Sequence, residues 1–196
     1  MRIANEQISK MQTVLNGPNP KSHPAVVAAF GTNVNIFEIK SGVAKLQTET
    51  FFVDSADARP DVTQGATNDR DKHVLFGSSY FAGNDDKMRA GTVIHELAHT
   101  INKDVDHFKT DGSPYDFGAK PDTKNFLVGY SHMKDLKALR SDQMHKNTDS
   151  YCVFGEEDAK LARWALEEED LDDQSSCVAL TKRVPITLRI RLPQNR

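Results

Sequence analysis

The residues whose types and spacing could do chemistry are His95-Glu96-Leu97-Ala98-His99. On a helix, two imidazoles at i and i+4 stand about one turn apart on one face, close enough to share a single tetrahedral metal ion. Glu96 lies beside that face, where its carboxylate reaches a water on the metal without itself being a ligand. Zinc lowers the pKa of such a water towards ~7, and a neighbouring carboxylate can take the proton and later deliver it to a leaving amine. His95 and His99 are therefore candidate zinc ligands, and Glu96 is the candidate general base.

Two histidines leave the tetrahedron incomplete. A pattern with Gly three and His six residues after the second His is excluded, because Asn102 and Val105 occupy those positions. A Glu from a later helix would have Glu156 and Glu157 as its earliest candidates. Asp is better supplied: Asp104, Asp106, Asp111, Asp116 and Asp122 all fall in the segment leaving the helix. Asp106, seven residues past His99, can fold back over the helix end and stay near the metal, whereas Asp104 is too tight. Asp111 and Asp116 stand as alternatives for the third ligand.

The element that must carry the motif is the helix expected over Met88 to Ile101, where Ile94, Leu97, Ala98 and Ile101 form an apolar stripe that frees the His pair for a cleft. Upstream, helical spacing covers Ile3 to Leu15, the run AVVAAF after His23-Pro24, and Ile36 to Leu46. Thr48 to Val53 and His73 to Phe81 read as strands, with an irregular polar stretch over Ser55 to Lys72 between them. Asn102 to Asn125 reads as a long loop, followed by helices from about Ser131 to Leu139 and from about Glu156 to Glu169. In the tail, Val184, Ile186, Leu188, Ile190 and Leu192 alternate with other residues, the period of a half-buried strand.

Length and charge bound the rest. The chain has 196 residues, 25 Lys and Arg against 28 Asp and Glu, and 38% hydrophobic residues, which suits one domain with an appendage. Neither a basic surplus for nucleic acid nor a membrane-length apolar run is present. The opening residues, MRIANEQISKMQTVLNG, lack the apolar segment of a secretory signal. Two cysteines, Cys152 and Cys177, exclude a disulfide-dense scaffold and a four-cysteine zinc site. The near-neutral total conceals a polarity: nine acids between Glu156 and Asp173 precede a tail whose Lys182, Arg183, Arg189, Arg191 and Arg196 face no acid.

With these residues in order, the chain resembles the aspzincin metallopeptidases, the family of deuterolysin and peptidyl-Lys metalloendopeptidase. The segments that carry the resemblance are HVLFGSSYF, RAGTVIHELAHT, Asp106-His107-Phe108 and Asn147-Thr148-Asp149-Ser150-Tyr151, spanning roughly His23 to Phe154. The resemblance implies a mainly helical α+β, zincin-like metallopeptidase domain with a small sheet, whose edge strand could hold an extended substrate. It implies His95, His99 and Asp106 as the zinc ligands, Glu96 as general base, and Asp149 as an acid that reads a basic substrate side chain. The sequence also departs from the family. Asp104-Val105 replaces a Gly-Thr before the ligand Asp, residues from about Lys109 to Phe126 look inserted, and Cys152 stands where a second substrate-reading acid can occur. An alignment through Val128-Gly129-Tyr130 would put Asn125 at the ligand position, but a neutral amide is a poorer zinc ligand than a carboxylate. The family's oxyanion-stabilising Tyr falls on Lys109, leaving Tyr130 or Tyr115 as substitutes. Asp149 could equally be a helix cap.

The expected organisation is an N-terminal helix and linker over residues 1–22, a metallopeptidase domain over 23–173, and a basic tail over 174–196. The expected activity is zinc-dependent cleavage of peptide or protein substrates, with no nucleic-acid or membrane partner. Its rivals are a metal-dependent amidase acting on cell-wall peptide and a toxin-like interaction module with a structural metal, the tail strand pairing with a partner. Family members are mostly secreted, so export without a recognisable signal is expected, with a cytoplasmic location as the alternative.

Overall fold

The computed structural model describes residues 1–49, 51–55, 65–68, 73–77, 80–81, 85–119, 125–157 and 189–190. The first helix, α1 (Arg2–Asn16), buries Ala4, Ile8, Met11 and Leu15, one apolar stripe at helical spacing. It ends where Gly17 turns extended ahead of Pro18. Helix α2 (Pro24–Phe30) begins on Pro with the His23 side chain accepting from the Ala25 N–H. It stops at Gly31, whose φ of 90° is a conformation that favours glycine. Asn35 caps α3 (Ile36–Thr48).

These helices share one core with the rest of the chain. Ala4, Ile8 and Met11 of α1 are fully buried beside Phe30, Ile39, Ile94 and Phe154. Residues 1–22, set apart in the sequence reading, are thus structurally continuous with the domain through α1, which packs on α3 and on the motif helix.

A four-stranded sheet has the order β2-β3-β1-β6, from β1 (Phe52–Ser55), β2 (Gly65–Asn68), β3 (His73–Phe76) and β6 (Arg189–Ile190). Strands β1 and β3 are parallel, β2 is antiparallel to β3, and β6 runs parallel to β1 with Phe52 opposite Arg189. Strand β2 is a correction to the irregular stretch expected over Ser55 to Lys72: Gly-Ala-Thr-Asn lacks an apolar alternation, and its ladder with β3 defines it. The strand expected over His73 to Phe81 ends at Phe76, and residues 80–81 are helical.

The motif helix α4 (Asp86–Leu97) starts at Asp85, whose carboxylate accepts from the Lys87 and Met88 N–H groups at 3.0 and 2.8 Å. It does not continue as α-helix to Ile101. Residues Ala98–Asn102 form a π-helical turn, closed by Lys103 at φ 61°. The segment after it is more ordered than the expected loop. Strand β4 (His107–Lys109) pairs antiparallel with β5 (Phe126–Val128), and isolated bridges join Val105 to Asn147 and Phe108 to Pro114. Strands of three residues each are too short to leave a periodicity to read.

Helix α5 (Met133–Arg140) and a 3-10 segment (Ser141–Lys146) lead to a helix α6 over residues 148–157. It begins eight residues before the expected Glu156, because Asn147 caps it through the Asp149 N–H. The acidic stretch beyond residue 157 lies outside the described residues, as does the tail apart from β6. Among the described residues no helix is long and apolar enough to cross a membrane.

Candidate metal centre

Three segments meet at the end of α4. The helix carries His95 and Glu96, the π turn carries His99, and the strand-like residues before β4 carry Asp106. Val105 is held from both sides, its N–H donating to Lys146 O at 2.8 Å and its carbonyl accepting from Thr148 N at 3.1 Å. Asp106 therefore leaves a segment fastened to the start of α6. Its own carbonyl accepts from Gly129 N at 2.8 Å.

The two imidazoles face each other with Nε2 atoms 3.1 Å apart, and His99 Nε2 lies 3.8 Å from Asp106 Oδ2. One ligand atom from each of His95, His99 and Asp106 falls within 4.8 Å of the others. Ligands at ~2.0–2.2 Å from a tetrahedral zinc stand roughly 3.3–3.6 Å apart, a span that the 3.1 and 3.8 Å separations bracket.

The outer ring nitrogens are both engaged. His95 Nδ1 donates to Asp149 Oδ1 at 2.9 Å, and His99 Nδ1 donates to the Asp104 carbonyl at 2.8 Å. Such bonds fix tautomer and ring orientation in metal-binding histidines. With each Nδ1 donating, each Nε2 presents a lone pair, and two lone pairs at 3.1 Å require a proton or a cation between them. The electrostatic surroundings point the same way. Burial pulls His95 down, yet the bond and charge of Asp149 outweigh it and leave His95 raised. Burial and the charge of His95 push His99 down. The pair holds one positive charge with ease and two with difficulty, and two imidazoles with a carboxylate form a suitable zinc donor set.

Glu96 is 5% exposed. Burial, reinforced by Asp106 and Asp149 and opposed by His95, pushes its carboxyl up to about 7. Asp149, expected to read substrate, is buried with Oδ1 committed to His95, in the first turn of α6. Asp111 is exposed and turned onto Ser113 N and Oγ, and Asp116 is exposed, so neither joins the ligand group. Asn125 is exposed too. Tyr130 follows Gly129 beside the Asp106 backbone with its side chain 67% exposed, and Tyr115 lies with its ring 6.0 Å from Lys109 Nζ. Both belong to the surrounding loops.

Two functional neighbours escaped the sequence reading. Asn147 caps α6 and so sets Asp149 under His95, a role its Asn-x-Asp context could have signalled. His107 Nδ1 stands 2.6 Å from Asp106 Oδ1, and adjacency to the candidate ligand was the available signal.

Among solved structures, the chain is similar to a zinc peptidase from Grifola frondosa, with a TM-score of 0.54 and 15% identity over 80% of this chain and 89% of that one. The likeness is one of fold. No family model and no curated protein matches the sequence. The shared fold is α+β, mainly helical with a small sheet.

Proposed function

We propose that the protein is a zinc-dependent endopeptidase with His95, His99 and Asp106 as ligands and Glu96 as general base. The observation that carries this reading is a ligand group of three, among the described residues, on a zinc-peptidase fold. Structural zinc is closed by four protein ligands, whereas catalytic zinc keeps a position for water or substrate. That favours an enzyme over an interaction module with a structural metal.

Zinc, when bound, supplies a Lewis acid that polarises the scissile carbonyl and acidifies water. The chain supplies the rest. Glu96, buried and with a carboxyl near 7, takes a proton from the attacking water and returns it to the leaving amine without a large penalty either way. Asp149 and the Asp104 carbonyl hold the imidazoles in their ligating orientation. Strand β2 lies against α4 and the π turn, and its outer edge has no strand partner among the described residues. An extended substrate would add to that edge, with backbone bonds setting register over the site. Tyr130, which follows the residue bonded to Asp106, and Tyr115, whose N–H donates to the His107 carbonyl, are the candidates to donate to the developing oxyanion. The proposal carries no Lys preference: the acid suited to read a basic side chain is engaged by His95, and Cys152 occupies the second position.

The test is metal analysis of the purified chain, followed by cleavage of a peptide library and of cell-wall peptide, with and without chelator. Glu96→Gln should retain one zinc and lose ~10²-fold or more in kcat. Unchanged turnover in that variant sinks the mechanism, and cleavage confined to cell-wall peptide moves the reading to an amidase.

A further inference from the structure

Asp106 is the least constrained of the three ligands. His95 sits on α4 and His99 on the π turn that follows it, each with its outer nitrogen bonded, while Asp106 stands between a single bridge at Val105 and the first residue of β4, with its side chain 35% exposed. A carboxylate so placed can turn either oxygen, or both, toward an ion or toward solvent.

The neighbouring residue removes that freedom. His107 Nδ1 stands 2.6 Å from Asp106 Oδ1, while Oδ2 is the oxygen that faces His99 Nε2 at 3.8 Å. The His107 ring is itself held. Its backbone pairs with Val128 in the β4–β5 ladder, and its imidazole meets the Phe126 ring edge-on with centroids 5.2 Å apart. On the opposite strand, Gly129 N–H fixes the Asp106 carbonyl, so backbone and carboxylate are oriented from the same hairpin.

We infer that His107 is a positioning residue for Asp106: with its Nδ1 set against Oδ1, it keeps Oδ2 turned toward the histidine pair, where a zinc ion would be held. The inference rests on the zinc reading above and extends it to a residue that touches neither the ion nor the substrate. An ion pair as exposed as this one contributes little to folding, so its effect belongs in metal affinity rather than stability. Partners that orient ligands in this way are worth ~10–100-fold in metal affinity.

The test compares two variants of the full chain. His107→Phe keeps a ring against Phe126 and removes the imidazole nitrogen beside Oδ1. His107→Asn loses the ring but keeps a polar N–H group on the residue next to Asp106. Zinc dissociation constants are measured by competition with a chelator, and the melting temperatures of the metal-free forms are recorded alongside. The expected result is zinc binding weakened ~10–100-fold in the Phe variant, near wild type in the Asn variant, with the metal-free Phe protein melting close to wild type. Wild-type zinc affinity in the Phe variant, or equal loss in both, overturns the inference. If the Phe variant fails to fold, the Asn variant decides alone: retained affinity supports the role and lost affinity refutes it. A wild-type chain that binds no zinc sinks the zinc reading itself. Zinc binding and cleavage that persist undiminished in the Phe variant sink only the role of His107.

Discussion

At the scale of single residues, His95 and His99 are steadied by acceptors of different kinds. His95 relies on a side chain, Asp149, and His99 on a carbonyl, that of Asp104. Only the first can be removed by substitution, so Asp149→Ala should weaken zinc binding ~10–100-fold by freeing the His95 ring. Asp149→Asn, which still offers an oxygen to Nδ1, should lose less. Chelator competition measures both, and equal affinities for Ala and wild type would return Asp149 to a substrate-reading or capping role. Asp104 makes a separate prediction through its own carboxyl. Burial, against the pull of Lys146 and Lys45, pushes that carboxyl up to about 7, well above the unfolded value of ~3.9. A group raised on folding contributes stability that is fully present below the unfolded pKa and lost as pH rises through the folded one. Asp104→Asn should therefore stabilise the metal-free protein at pH 8, by about 1–3 kcal/mol after allowing for the two lysines, and change little at pH 4. Thermal melts of both proteins across that range check it.

At the scale of elements, what could be read depended on whether side-chain pattern or pairing made the element. Helices α1, α2, α3 and α4 announce themselves by apolar spacing and by Asn35, Asp85 and Pro24 at their starts. The His95, Glu96 and His99 arrangement was legible for the same reason, since local helical geometry alone brings it together. Strands β2, β4 and β5 are three or four residues long and exist through ladders to distant partners, which no local pattern records. The position of Asp149 beneath His95 was hidden likewise, because it depends on α4 packing against α6. That packing is close. A Cβ on Gly91 would stand 2.8 Å from Cys152 Sγ and 3.4 Å from Glu156 Oε1. Helix propensity favours Gly91→Ala by ~1 kcal/mol, but overpacking costs ~1–3 kcal/mol, and a thiol on a short, half-buried side chain has little room to yield. The substitution should lower stability by about 1 kcal/mol. Adding Cys152→Ala opens the contact and should restore it, so a double-mutant cycle in denaturant unfolding should show clear non-additivity.

At the scale of the whole molecule, the question is what the basic end of the chain does for a domain whose site lies elsewhere. The tail alternation expected over Val184 to Leu192 meets the structure at Arg189–Ile190, which pair with Phe52 and Val53 of β1. Strand β1 is parallel to β3 on its other side, so without β6 it would be an edge. An edge strand presents unpaired backbone groups that invite pairing with other chains. By occupying it, the chain's own tail leaves β2, at the far side of the sheet and beside α4, as the other edge. That division makes a prediction with two arms. A chain ending at Thr181 loses the β1–β6 ladder, and at ~0.5–1.5 kcal/mol per backbone hydrogen bond it should lose about 1–3 kcal/mol of stability. It should also self-associate more readily, since β1 becomes available. Zinc affinity should hold, because no ligand or ligand partner lies on β1 or β6. Urea unfolding, sedimentation and chelator competition on the same truncated protein separate these effects. Unchanged stability with monomeric behaviour would mean that the tail is free to pair with a partner instead.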